Sequence, residues 1–202
     1  MKFPILASLF VFILIIGHNV RKQRNSNVSA ENNFWQEETR ANSVRRVSLD
    51  DLNYITIPSD TLPVHLLQED PAVAECVEFL GSLSGQRIVN LTGYSNTELK
   101  LKYGTANITL LSEYDQNYTL LVTTLQKWAD LLYNAGYVEE TLQILEFALS
   151  TGTDISKTYY MLADIYRSKG QQARIQELIE AAENLRSINR SVIVRTLAKS
   201  YQ

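Results

Sequence analysis

The sequence predicts an all-α fold in which an N-terminal transmembrane helix precedes an α-α hairpin array with an irregular N-terminal cap. Three observations predict it. The chain opens on an uncharged apolar run, its middle section places large apolar residues every three or four positions, and its C-terminal third repeats its own pattern. With 202 residues, of which 45% are hydrophobic and 20% charged, the chain has room for one globular domain besides the N-terminal segment.

The N-terminal segment FPILASLFVFILIIG (3–17) carries no charge. A membrane span needs about 17–25 apolar residues, so residues 3–20 suffice if Lys2 and Arg21 extend their charges toward the lipid headgroups. A cleaved signal peptide is the alternative, but IIGHNVRKQR offers cations where a small-x-small cleavage site would stand. We therefore expect an uncleaved anchor over residues 1–20 that contacts the lipid bilayer.

The orientation of the anchor follows from the charges beside it. Arg21, Lys22 and Arg24 come directly after the apolar run, whereas only Lys2 and the amino terminus precede it. Because cations near a span concentrate on the cytoplasmic side, these residues predict a single-pass protein of the cell membrane with a cytoplasmic C-terminal domain. The one cysteine, Cys76, agrees with a reducing compartment, since one cysteine forms no intramolecular disulfide.

Asn-x-Ser/Thr triplets favour a different location. An extracytoplasmic, envelope-associated domain, tethered or released, is the alternative that these glycosylation-type triplets support. The helical pattern around one of them and the Asn-, Ser- and Thr-rich composition favour a compositional origin instead. The triplets begin at Asn27, Asn90, Asn107, Asn117 and Asn189.

Two segments separate the anchor from the repeats. Residues 21–48 are polar and basic and are assigned to a linker, in which Phe34 and Trp35 could dock on the domain or lie at the membrane interface. Residues 49–120 are assigned to an extended strap and a helical cap. Alternating β-branched residues and two prolines make LNYITIPSDTLP (52–63) extended.

The cap is predicted to contain helices. A helix over 71–84 begins with Pro71 in its first turn, and a short helix, TELKLKYG, ends at Gly104. A longer helix follows, which the polar stretch Asp115-Gln116-Asn117 could divide in two. Its buried seam is predicted to be Leu111, Tyr114, Tyr118, Leu121, Leu125, Trp128 and Leu132.

The C-terminal third superposes on itself when the chain is shifted so that Ala129 meets Ala163. The same shift, called here the repeat interval, pairs Gly136 with Gly170, and each copy places a glycine turn between two amphipathic helices. A helix–turn–helix period of about 34 residues is typical of tetratricopeptide (TPR) repeats. In this pattern residues 121–188 resemble two such repeats.

The match to the TPR pattern has departures. Thr141 and Ile175 stand where that family has a small alanine, and Thr153 and Ser187 stand where it favours proline. Residues 189–202 fit the closing helix of such an array, because apolar side chains share one stripe of that helix. The stripe contains Ile193, Leu197 and Tyr201.

A second resemblance covers more of the chain. The stretches FWQEETRANSVRR, LNYITIPSDTLP, VNLTGYSNTELKLKYGTANI and SEYDQNYTLL look like segments of an uncharacterised family of bacterial membrane-anchored proteins with helical-repeat C-termini. The resemblance implies a bacterial origin and no particular mechanism.

The TPR resemblance implies a groove lined by the first helix of each hairpin. Its two tyrosines suit a peptide-binding surface, because aromatic side chains give contact area at low entropic cost. In arrays that clamp a C-terminal carboxylate, lysine and asparagine occupy the places of Gln126 and Asp130, so that ligand is not expected. By position the groove residues are Gln126, Asp130, Tyr133, Asn134, Lys157, Tyr160, Asp164 and Arg167, with Ser168 beside them.

No catalytic motif accompanies these features. The chain has two histidines and one cysteine, too few for a usual zinc site, and lacks GxGxxG, Walker A, HExxH and GxSxG strings. Its net charge of −3 and the absence of a basic stripe disfavour nucleic acid. The sequence therefore predicts a non-enzymatic, membrane-anchored scaffold or adaptor that binds an unknown peptide or protein and needs no cofactor or metal.

Overall fold

The computed structural model of the chain describes residues 31–201. The predicted anchor over 1–20 and the cations Arg21, Lys22 and Arg24 lie outside the described residues. Residues 31–201 form eight α-helices and no β-strand, which confirms the predicted all-α class. None of the helices in this range has both the length and the apolar character needed to cross a membrane.

The helices from α4 to α8 follow one another with short connections, whereas residues 43–70 and 84–95 form longer non-helical segments on either side of α2. Contacts divide the chain into two compact units, one containing 31–47 and 96–106 and the other containing 48–95 and 107–201. A 3₁₀ turn at Thr105–Asn107 precedes the longest helix. The bounds are α1 (31–42), α2 (Pro71–Leu83), α3 (Asn96–Tyr103), α4 (Ile108–Asn134), α5 (Val138–Ser150), α6 (Ser156–Ser168), α7 (Gln172–Glu183) and α8 (Arg190–Ser200).

The first unit pairs α1 and the following residues with α3. Glu38 forms an ion pair with Lys100 and accepts a 2.8 Å hydrogen bond from Thr97 Oγ1. Helix α3 ends, as predicted, at Gly104, whose φ of +85° suits a glycine. A Cβ at that glycine would lie 2.4 Å from the carbonyl oxygen of Arg45, so the backbones approach closely there. Thr97, Lys100 and Gly104 of the polar stretch SNTELKLKYG thus contact residues of the range 38–45.

The second unit is organised around α4. Every residue of the predicted seam is buried, from Leu111 to Leu132. Helix α4 runs unbroken through residues 115–117, where the sequence left a division open, because the side chains of Asp115 and Asn117 bond the neighbouring loop instead of ending the helix. Asp115 Oδ1 accepts a 3.0 Å hydrogen bond from Leu91 N–H, and Asn117 Nδ2 donates to the carbonyl oxygen of Arg87 at 3.1 Å.

The N-terminal part of this unit covers α4. Helix α2 begins as predicted, with Pro71 in its first turn and the side chain of Asp70 accepting a 2.8 Å hydrogen bond from Ala72 N–H. Helix α2 packs on α4. The segment 52–63 contains no helix, and Tyr54 and Val89 form an isolated antiparallel bridge.

The repeat is visible in the backbone. The ends of α4 and α6 lie one repeat interval apart, and so do the starts of α5 and α7 and the starts of α6 and α8. The turns carry Gly136 at a φ of +88° and Gly170 at +68°. The next residue closes each turn in the same way, since Tyr137 N–H donates to Leu132 O at 3.0 Å and Gln171 N–H donates to Tyr166 O at 2.8 Å.

Thr141 and Ile175, two of the departures from the TPR pattern, lie in the core. Thr141 is fully buried and Ile175 is 1% exposed, so both fill space at the helix contacts. Thr141 Oγ1 donates to the carbonyl oxygen of Tyr137 at 2.7 Å, which satisfies the hydroxyl inside its own helix. Helix α8 closes the unit with Ile193 and Leu197 fully buried.

Candidate partner-binding face on helices α4, α6 and α8

The predicted groove residues lie on two helices of the second unit. Helix α6 contacts α8, and side chains link α6 to α4, so the three helices present a common face, called here the α4–α6–α8 face. Helix α4 carries Gln126, Asp130, Tyr133 and Asn134, and α6 carries Lys157, Tyr160, Asp164, Arg167 and Ser168.

The carboxylate of Asp130 joins α4 to α6. Gln126 Nε2 donates to Asp130 Oδ1 at 2.9 Å, and Lys157 Nζ donates to Asp130 Oδ2 at 2.7 Å. The Lys157 side chain is 58% exposed and that of Asp130 28%, so the ion pair lies at the surface. Surface pairs contribute only about 0–1 kcal/mol, and this one chiefly fixes the positions of its partners.

Gln126 lies beneath the face and connects the helices. It is 8% exposed, and its Oε1 accepts a 2.7 Å hydrogen bond from Thr158 Oγ1. Its Nε2 also lies 3.3 Å from the sulfur of Met161. A buried amide with both ends paired orders the helix contact, so Gln126 positions the face.

A second cluster joins α6 to the end of α8. Asp164 Oδ1 accepts hydrogen bonds of 3.1 Å from both Arg167 Nη2 and Tyr201 Oη. The Arg167 guanidinium lies 5.0 Å from the centre of the Tyr201 ring, within cation–π range. Partial burial and the bond to Asp164 raise the pKa of Tyr201.

Sequence analysis assigned Tyr201 to the closing helix and not to the groove. The signal that could have found it is the repeat, since Tyr133, Arg167 and Tyr201 follow one another at the repeat interval. Tyr133 is 42% exposed at the end of α4, and Asn134 beside it is exposed. Tyr160 is half-buried and packs partly against the core.

The α4–α6–α8 face combines ion pairs with aromatic and polar side chains. Two carboxylates and two cations balance each other in charge, and tyrosine rings and polar groups lie among them. Within residues 31–201, no group of three or more His, Cys, Asp and Glu side chains is placed to hold a metal ion. No protein-family model, curated protein or solved structure matches this chain.

Proposed function

We propose that this chain is a membrane-anchored interaction module that binds a peptide or protein segment on the α4–α6–α8 face. The observation that carries the proposal is the exposure of Tyr133, 42%, beside a hydrogen-bonded network that spans the helices. Exposed tyrosines held on rigid elements are typical anchors of protein interfaces.

The network supports binding with little reorganisation. The ion pairs Asp130–Lys157 and Asp164–Arg167 are formed within the chain, so the face is ordered before a partner arrives. Since the charges cancel, we expect a partner segment that contributes apolar and hydrogen-bonding side chains and not a strong charge.

The resemblance to TPR repeats supports the same face. In such arrays the first helix of each hairpin lines the groove, and α4 and α6 are the first helices here. The repeat interval extends this relation to α8, and Tyr201, directly after the end of α8, joins the face. In this proposal the chain binds a protein partner and holds it at the membrane, and it catalyses no reaction and uses neither a cofactor nor a nucleic acid. This agrees with the lack of catalytic motifs and of a basic stripe in its sequence.

The anchor and the cytoplasmic location rest on the sequence of residues 1–24. Thiol labelling tests them in the variant Cys76→Ala, Ser29→Cys, in which Ser29 follows the cationic cluster. Cys76 is 1% exposed, so its replacement removes a poorly accessible background thiol. We expect a membrane-impermeant reagent to label the protein only after lysis, whereas labelling of intact cells would place the domain outside the cytoplasm.

The extracytoplasmic alternative loses support from its asparagines. N-glycans attach to Nδ2, and Asn90 Nδ2 donates to the carbonyl oxygens of Thr151 and Gly152, each at 3.0 Å. Asn107 is fully buried. The Nδ2 atoms of Asn117 and Asn189 also donate hydrogen bonds to backbone carbonyls, and Asn27 lies outside the described residues. These engagements favour a compositional origin for the triplets.

Paired alanine variants test the proposed function. Tyr133→Ala removes an exposed ring, so we expect partner binding to weaken about tenfold or more, with a change in unfolding free energy within about 0.5 kcal/mol. Tyr160→Ala is expected to weaken binding at some cost in stability, since this ring also contacts the core. Gln143→Ala, at an exposed site on α5, is the control and should change neither. Loss of stability and binding together in Tyr133→Ala would refute the assignment.

A further inference from the structure

A polar cleft lies in the second unit, formed by residues other than those of the α4–α6–α8 face. Its volume is about 320 Å³, within the range of small-molecule sites. The loop that follows α2 forms one wall, and the C-terminal ends of α5 and α7 form the other. Its lining includes Asn53, Thr92, Tyr94, Ser150, Asn184 and Arg186.

Close backbone packing builds this cleft. Gly93 has a φ of +82°, and a Cβ there would lie 2.6 Å from Arg186 Cβ and 2.7 Å from the Arg186 carbonyl oxygen. The loop therefore contacts the chain after α7 at a position that only glycine allows. On the opposite side, Asn90 Nδ2 holds the Thr151 and Gly152 carbonyls and lies 2.9 Å from Tyr118 Oη. The walls are thus fixed by contacts that do not need a ligand.

Arg186 supplies the charge of the cleft. Its guanidinium carbon lies 4.2 Å from the centre of the Tyr94 ring, within cation–π range, and the Arg186 residue is exposed to solvent. None of the ion pairs formed within residues 31–201 uses Arg186. It is the one charged side chain among the described residues that line the cleft.

Arg186 sets the sign of the charge that fits, and the ends of α5 and α7 limit its size. Each helix C-terminus carries a partial negative charge of about half an elementary charge, which repels an anion. Because this repulsion grows with the charge of the ligand, a singly charged anion is favoured over a doubly charged phosphate. A carboxylate also matches the paired donors of the guanidinium, and the amide and hydroxyl groups of Asn53, Thr92 and Ser150 suit a polar remainder.

We infer that this cleft is a binding site for a small organic carboxylate with an amide or hydroxyl group, in which the carboxylate pairs with Arg186. It is independent of the proposed protein-binding face, because none of the groove residues lines the cleft.

N-acetylglycine is a suitable probe, because it carries one carboxylate and one amide. We expect it to produce saturable NMR shifts at the Gly93 amide and the Arg186 Nε–H of the full-length chain in detergent solution. N-acetylglycinamide, in which a neutral amide replaces the carboxylate, should cause none. Inorganic phosphate should bind more weakly, and tighter binding of phosphate would overturn the carboxylate assignment.

Variants locate the contact. Arg186→Gln retains the Cβ and the backbone against which Gly93 packs, and it should weaken binding about tenfold to a hundredfold, the usual effect of losing a charged hydrogen bond. Arg195→Gln, on the exposed part of α8, is the matched control and should bind as the parent does. Tyr94→Leu removes the ring beneath the guanidinium and should weaken binding partially. Shifts that do not saturate, or that persist in Arg186→Gln, would refute the site.

Discussion

Thr153 and Ser187 lie one repeat interval apart, and each hydroxyl oxygen accepts a hydrogen bond from the backbone N–H two positions further on. The distance is 3.2 Å from Ile155 N to Thr153 Oγ1 and 3.1 Å from Asn189 N to Ser187 Oγ. The turn before α6 and the turn before α8 thus share this hydrogen bond, although the residue before α6 is extended (Ile155, ψ 105°) and the residue before α8 is helical (Asn189, ψ −19°). A hydroxyl that accepts a hydrogen bond from the backbone N–H two positions further on restrains the turn locally.

This relationship predicts the effect of removing the Thr153 hydroxyl. Thr153 is fully buried, so Thr153→Val keeps the shape of the side chain but leaves Ile155 N–H without its acceptor. We expect a loss of about 1–2 kcal/mol in unfolding free energy by urea denaturation. Thr123→Val, at an exposed helical position, should change it by less than about 0.5 kcal/mol. Equal effects at the two sites would contradict the role of the turn.

The bond between Gln126 and Thr158 is expected to couple α4 to α6. Thr158 is 1% exposed, and Thr158→Val leaves Gln126 Oε1 unpaired in a buried site, at a cost of about 1–3 kcal/mol. A double-mutant cycle with Gln126→Leu measures the coupling, and we expect the double variant to lose less than the sum of the single variants. Lys157→Ala, which removes only a surface ion pair, should cost less than about 1 kcal/mol. Strict additivity in the cycle would contradict direct coupling.

Variants of Asp115 test how α4 accommodates a polar stretch within its buried seam. Burial raises the pKa of this carboxyl, so its charged form is disfavoured in the folded state even though Oδ1 accepts from Leu91 N–H. A raised folded-state pKa means that this group favours folding more as the pH falls through that pKa. Asp115→Asn keeps an acceptor without the charge and should leave stability at pH 7 unchanged or increased.

Asp115→Ala is the contrasting variant. It leaves the buried N–H of Leu91 without a partner and should lose about 1–3 kcal/mol in the same denaturation experiment. If Asp115→Asn were as destabilising as Asp115→Ala, the negative charge itself would be needed and this explanation of the unbroken helix would fail.

The pair Glu38–Lys100 predicts the pH dependence of the first unit. The hydrogen bond from Lys100, followed by that from Thr97, lowers the pKa of Glu38. A lowered folded-state pKa contributes stability that is fully present above about pH 4.3, the ordinary value for glutamate, and is lost as the pH falls through the lower value. We expect the NMR titration midpoint of the Glu38 carboxyl to rise in Lys100→Gln. The same midpoint in both proteins would show that the pair does not form in solution.

Most helices and turns of the second unit could be predicted from the sequence, because patterns among neighbouring residues mark them. Apolar spacing locates α4 to α8, and Gly136 and Gly170 mark the turns at which only a residue tolerant of positive φ fits well. The pairing of Glu38 with Lys100 has no such signal, since the residues lie far apart in the chain and neither belongs to an apolar period. Helix α1, inside the segment assigned to a linker, buries Ala41 and leaves Phe34 and Trp35 exposed, so apolar spacing does not mark it.

The α4–α6–α8 face was likewise predictable from the sequence only in part. The repeat indicates which residues share a face, so Asp130, Lys157, Asp164 and Arg167 could be placed together from sequence. The repeat does not indicate how deeply each side chain is buried. Gln126 is buried because Thr158 and Met161 approach it from α6. The cleft at Arg186 depends on a loop and two helix ends brought together by folding, which periodicity does not predict.

Site-specific photo-crosslinking at Tyr133 tests the central claim most directly. The full-length chain would carry p-benzoylphenylalanine in place of Tyr133, or in place of Gln143 as the control, and would be irradiated in living cells. We predict one discrete adduct at position 133, containing a distinct protein identified by mass spectrometry, which is weakened by Arg167→Ala and absent at position 143. No adduct at position 133, or the same set of adducts at both positions, would contradict a partner-binding role for the α4–α6–α8 face.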